Sequence, residues 1–150
     1  MQSTEWQRVE NPDFGYAVRI PRGWDERPPN LKNSPWETVR FGDPADRRHS
    51  VIVFRQAVRP GRSALELAEL VQPSLESAGF TDFEITESGL GGKSGALLRC
   101  ARHDAGRTWA VSEYIVVEGK VSFCLGCGTS IPDEDETLFA RMAEGFELIG

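Results

Sequence analysis

The sequence predicts an α+β fold, a mostly antiparallel β-sheet carrying two amphipathic helices, and three observations support it. Between residues 83 and 127, apolar and polar side chains alternate through successive segments joined by reversals too short for parallel neighbours. Two other stretches, 64–78 and the one opening at Pro132, repeat their apolar residues at helical spacing. The chain has 150 residues and is 39% hydrophobic, which suits a single domain, 1–150, able to bury a core of its own.

The first elements read as a hairpin. A short strand at 6–9 leads into the turn residues Asn11-Pro12-Asp13, and a second strand follows in which Tyr16, Val18 and Ile20 alternate with Ala17 and Arg19. Pro21-Arg22-Gly23-Trp24 should stop that strand, because proline cannot donate to a ladder. Residues 25–37, with Pro28, Pro29 and Pro35, read as a polar loop ending at Trp36. A strand at 38–41 follows, then a charged turn at 43–48. Val51-Ile52-Val53-Phe54 is apolar on both faces, as expected of a central strand covered on both sides.

Ser63 with Glu66 three residues later is a capping-box pattern, and Ala64, Leu67, Ala68, Val71, Leu75 and Ala78 share one helical stripe behind it. Pro73 removes a donor inside that helix and predicts a kink, and Gly79 predicts its end. Strands are expected near 83–88, 95–103, 108–117 and 121–127, with turns at Asp104-Ala105-Gly106 and Glu118-Gly119. Pro132 opens a second helix whose first-turn acids suit the positive end of its dipole. Leu138, Phe139, Met142 and Ala143 form its apolar stripe, Gly145 ends it, and 146–149 closes as a short edge strand. Helices or loops are therefore expected on both faces of the sheet.

The net charge of −6 argues against a nucleic-acid or anionic-membrane surface. It is unevenly spread: residues 1–62 hold eleven basic and eight acidic side chains, residues 63–150 six and fifteen. No run reaches the ~20 apolar residues of a membrane span, and the opening Met1-Gln2-Ser3-Thr4-Glu5-Trp6 has no secretory pattern, so a cytoplasmic setting with reduced thiols is expected.

Few motifs suggest chemistry. Gly89-Leu90-Gly91-Gly92-Lys93-Ser94-Gly95 resembles the end of a phosphate-binding loop, but Glu87 stands where that pattern needs glycine and a strand follows where it needs a helix. Cys124 and Cys127 have CxxC spacing and are the weak metal candidates, with Cys100, His49 and His103 the remaining possible ligands. Strand parity puts the pair on opposite faces, so buried structural thiols are expected. His49 and His103 read as solvated histidines on turns or strand ends, without a nucleophile or zinc-protease pattern beside them. No catalytic constellation emerges and no cofactor is expected. Arg40, Arg47, Arg48, His49, Arg55, Arg59 and Arg62 concentrate positive charge, and Trp24 and Trp36 flank the proline-rich loop. Trp24, Trp36, Arg40, Arg47, Arg48 and His49 are therefore the candidate partner-binding residues, since aromatic and arginine side chains anchor interfaces.

The element order and Tyr16-Ala17-Val18-Arg19-Ile20-Pro21-Arg22-Gly23-Trp24, with the final helix leading to Phe146, resemble the PsbP-like family over about residues 14–149. The resemblance implies an α/β/α sandwich on an antiparallel sheet. It also implies non-enzymatic roles: an extrinsic subunit of the oxygen-evolving complex, a Ran-binding release factor, DcrB- and LpqN-type lipoproteins, and Eag-type effector chaperones. The expectation is a protein-interaction or chaperone-like domain of a bacterial cytoplasmic protein. The alternative is a small-ligand-binding domain or hydrolase with a pocket between sheet and helix.

Overall fold

The computed structural model describes residues 5–149. The reading of the opening Met1 to Trp6 as free of a secretory pattern rests on Met1 to Thr4 as well, which lie outside them. Among the described residues two antiparallel sheets form. In the smaller, β1 (Trp6–Asn11) pairs with β2 (Tyr16–Pro21), whose other edge takes β10 (Glu147–Leu148). Pro21 is thus the last residue of β2, opposite Trp6, and not a stop outside the strand.

The larger sheet has seven strands. They are β3 (Asp25–Arg27), β4 (Glu37–Asp43), β5 (Asp46–Ala57), β6 (Thr81–Leu90), β7 (Lys93–Asp104), β8 (Arg107–Glu118) and β9 (Val121–Thr129), ordered β3-β4-β5-β9-β8-β7-β6 with every pairing antiparallel. The expected meander is β6 to β9, and it extends past its predicted ends because two-residue turns let the ladders run almost to the chain reversals. Two expectations need correction. The polar loop 25–37 contains β3, an all-exposed edge strand. The charged turn 43–48 is only the Pro44-Ala45 reversal, because Asp46 already pairs with Asp43 and β5 begins there.

Helix α1 (Ala64–Ser77) starts with the predicted capping box, Ser63 Oγ accepting from the Glu66 amide and Glu66 Oε1 from the Ser63 amide. It runs unbroken through Pro73. Its end is a Schellman turn: the Gly79 amide donates to the Glu76 carbonyl and the Phe80 amide to that of Leu75, with Gly79 at φ +93°. Helix α2 (Pro132–Glu144) opens with Pro132 and three acidic residues.

Side-chain parity along the central strands sorts the interior into two clusters. Ala96, Leu98, Cys100 and Ile115 pack with Ala68 and the stripe of α1. Leu97, Tyr114, Val116, Val51, Val53, Phe123 and Leu125 pack with β2, with Phe139, Met142 and Ala143 of α2, and with Phe146. At the centre of this second cluster the Tyr16 ring stacks on Phe146 at 5.6 Å, with Phe123 edge-on to Tyr16 at 6.3 Å.

The glycine cluster finds its explanation here. Gly91 and Gly92 form the β6–β7 turn at φ +63° and +78°, and the Gly91 amide donates to the Ala143 carbonyl. A Cβ on Gly91 would stand 2.2 Å from the Phe146 carbonyl oxygen. Glycine is required so that the end of α2 can close onto this turn.

Candidate binding groove

Strand β5 departs from its expected burial. Val51 and Val53 are fully buried, whereas Ile52 and Phe54, on the opposite face, are only half-buried. The sheet order supplies the reason. Helix α1 packs chiefly on β6, β7 and β8, and only its flank reaches toward β9 and β5. The cross-strand row Arg40–Ile52–Gly126–Glu113–Leu98–Ile85 therefore begins in the open and ends under the helix.

Between the flank of α1 and this uncovered half lies a groove of about 340 Å³. Leu67, Leu70 and Val71 of α1 form one wall, Phe54, Ile115 and Cys124 the floor, and Trp36 the far lip, with Gln56, Ser74 and Ser122 at the margin. Gly126 makes room for the floor, since a Cβ there would lie 3.0 Å from Phe54 Cε2. Leu70 is 56% exposed and Trp36 44% exposed, so two large apolar groups stand in water at the mouth.

Glu113 projects into the same groove. Burial alone pushes its carboxyl up to about 7, and among the described residues no cation or hydrogen bond offsets it. The groove is thus largely apolar, with polar residues at its margin and one acidic group in its lining.

Trp36 is anchored through its backbone despite its exposure. The Arg55 amide donates to its carbonyl at 2.9 Å, and its own amide donates to Ser34 Oγ. Next to it, Glu37 is 3% exposed and takes a bidentate fork from Arg40 at 2.6 and 2.7 Å, together with donors from the Asn30 amide and Asn33 Nδ2. Burial works against this charge, but the fork and the two amide donors win and hold the carboxyl below its ordinary value. Arg40 therefore ties down the loop that presents Trp36.

The remaining candidate residues lie elsewhere. Arg47 and Arg48 line a cleft with Arg102 and Arg107 at the opposite end of the sheet, so the positive run in the sequence is dispersed in space. Arg62 faces Glu66, and Arg55 lies over the Phe123 ring. Trp24 packs against the second core cluster and stacks on the His49 imidazole, with centroids 4.8 Å apart. Trp24 and Trp36 thus belong to different surfaces.

His49 is not a solvated turn residue. It sits in β5 opposite Thr129 with its side chain only 10% exposed, and its Nδ1 lies 3.0 Å from Asp135 Oδ2. Asp135, one of the first-turn acids of α2, is itself 4% exposed and also accepts from Thr129 Oγ1 at 2.7 Å. His103 is exposed on β7 and pairs with Asp82 at 2.9 Å. Neither histidine lines the groove.

Cys124 lies with Cys100 in the α1 cluster and Cys127 in the other, and all three are free thiols. Burial pushes each thiol up, that of Cys100 to about 12.

This architecture, two antiparallel sheets with β10 returning to β2, is the PsbP-like fold. CyanoP, the cyanobacterial PsbP of Synechocystis sp. PCC 6803, superposes with a TM-score of 0.74 at 15% identity, covering 98% of this chain and 94% of that one. The Ran-binding protein Mog1p of Saccharomyces cerevisiae follows with 0.64 at 12% identity, covering 98% and 97%. LpqN, involved in cell envelope biogenesis of Mycobacterium tuberculosis, gives 0.59 at 16% identity over 99% and 93%. No protein-family model and no curated protein sequence matches the chain. Among the described residues no helix is long and apolar enough to cross a membrane.

Proposed function

We propose that the chain is a non-enzymatic protein-interaction domain, one α/β/α sandwich with α1 and α2 on opposite faces of the large sheet. Its groove takes an extended segment of a partner protein. The observation that carries this reading is the half-covered strand β5. Its Phe54 meets Trp36 and Leu70 at an open apolar surface, the kind of patch that marks an interaction site. The unpartnered Glu113 specifies the occupant further: an apolar side chain for the floor beside a backbone or side-chain donor for the carboxyl. The shared fold supports the reading through Mog1p, which is described as Ran-binding. A chaperone-like role toward an apolar segment, in a bacterial cytoplasm, belongs to the same proposal.

Panning a random peptide library on the protein is expected to enrich sequences that pair an apolar residue with a donor such as Asn, Ser or Lys. Trp36→Ala and Leu70→Ser, both at exposed positions, should weaken those peptides at least tenfold. Equal binding by both variants overturns the assignment of the groove. The groove volume also falls within the ~300–1,000 Å³ of small-molecule sites, which favours a second reading as a small-ligand pocket. Saturable shifts of Trp36 fluorescence with amphiphilic small molecules, and no enriched peptide, would select it.

A further inference from the structure

We propose that Asp43, Asp46 and His49 form a binding site for a divalent first-row transition metal, with zinc the natural probe and Asp135 the group that orients the imidazole. The site lies at the β4–β5 reversal, away from the groove. Asp43 Oδ2 and Asp46 Oδ2 each stand 3.9 Å from His49 Nε2, and the three ligand atoms lie within 4.8 Å of one another.

His49 Nδ1 faces Asp135 Oδ2 at 3.0 Å, and a carboxylate only accepts, so Nδ1 carries a proton. In the neutral ring Nε2 then presents a lone pair. That atom is buried and has no hydrogen-bond partner among the described residues, and it is aimed at two carboxylates. At 3.9 Å neither carboxylate receives a hydrogen bond from it. Three electron-rich atoms thus converge on a gap that a cation would fill.

Metal–ligand bonds of ~2.0–2.2 Å to nitrogen and oxygen fit this gap after a small closure of the carboxylates. Both carboxylates are partly exposed, at 31% and 23%, and each is tethered through Oδ1 alone by a backbone amide, Asp43 by that of Ala45 and Asp46 by that of Arg48, whereas the imidazole is fixed by Asp135 on its edge and Trp24 on its face. A histidine whose second nitrogen donates to a buried carboxylate is the usual support of a metal-bound imidazole.

The donor set of one imidazole and two carboxylates favours zinc and its transition-metal neighbours over calcium or magnesium, which prefer all-oxygen sites. Arg48 opposes the ion. Its guanidinium holds both oxygens of Asp46 at 2.9 and 2.8 Å, but the side chain is 57% exposed and free to swing away.

The test is competition for zinc against a chromophoric chelator, with cobalt(II) quenching of Trp24 fluorescence as a local readout. One zinc per chain should bind, and quenching should disappear in Trp24→Phe. Asp43→Asn and Asp46→Asn, on a partly exposed turn, should each weaken zinc at least tenfold. Asp135→Asn should weaken it ~10–100-fold while leaving the site in place. Arg48→Gln should tighten it, and His103→Gln should change nothing. The proposal is overturned if zinc does not bind at tenth-millimolar concentration, or if both Asp variants bind it like the parent. It also falls if nitrogen NMR shows the parent's Nε2 protonated in the presence of zinc.

Discussion

His49 Nδ1 lies 3.0 Å from Asp135 Oδ2, a contact between residues 86 apart that fastens the first turn of α2 to the start of β5. The same oxygen accepts from Thr129 Oγ1, which in turn accepts from the Ile131 amide at 2.8 Å. Truncating Asp135 strands two buried polar groups at once. Asp135→Ala is expected to cost about 2–3 kcal/mol in denaturant unfolding. A double-mutant cycle with His49→Ala should return a coupling of about 1–3 kcal/mol. Additive losses would show that the two side chains do not act as a unit.

The meander was legible in the sequence because short turns and alternating residues leave few options, and the helices announced themselves through apolar stripes, the capping box of α1, and Pro132 with the first-turn acids of α2. The site was much less legible. Ile52 and Phe54 look like core from their own strand, since their exposure depends on how far α1 reaches across the sheet, a tertiary fact. Asp43 and Asp46 read as part of a charged turn and His49 as a solvated histidine because Asp135, which orients the imidazole, is contributed by a helix far along the chain. The signal available was the three-residue spacing of the two acids and the histidine. Arg40 was legible as an exposed cation, but not as the partner of a buried Glu37 three residues earlier.

Removing Glu37 should loosen the loop that presents Trp36. Its carboxylate accepts from Arg40, the Asn30 amide and Asn33, and breaking a buried pair on one side leaves the rest uncompensated. Glu37→Ala is expected to cost about 3 kcal/mol and to lower the steady-state anisotropy of Trp36, read in a background with the other three tryptophans replaced by phenylalanine. Because the folded carboxyl sits below its ordinary 4.5, its stabilising effect is present above that value and is lost as the pH falls. Parent and Glu37→Gln should therefore converge in stability under acid conditions.

Burial makes the three thiols poor nucleophiles, since each carries a raised pKa and only the thiolate reacts. A thiol reagent at pH 8 should modify the native protein slowly and all three cysteines rapidly once denaturant is added. Cys124, half-buried on the groove floor, should be the first of the three to react in the native protein, and equal rates for all three would contradict its place there.

Glu113 gives the groove a pH signature. Its carboxyl is pushed up to about 7 from an ordinary 4.5, so the folded protein binds more protons than the unfolded chain between those values, and stability falls as the pH rises through them. The penalty above pH 7 is at most about 3 kcal/mol. Glu113→Gln removes the titration and keeps the shape. In urea unfolding it should match the parent near pH 4 and exceed it in stability near pH 8. The peptides that bind the groove should turn this around: a donor that satisfies the carboxylate lowers its pKa, so binding should strengthen from pH 6 to pH 8 in the parent and stay flat in Glu113→Gln. A parent whose stability difference from the Gln variant does not change with pH would place this carboxyl in water, and the groove would lose its acidic anchor.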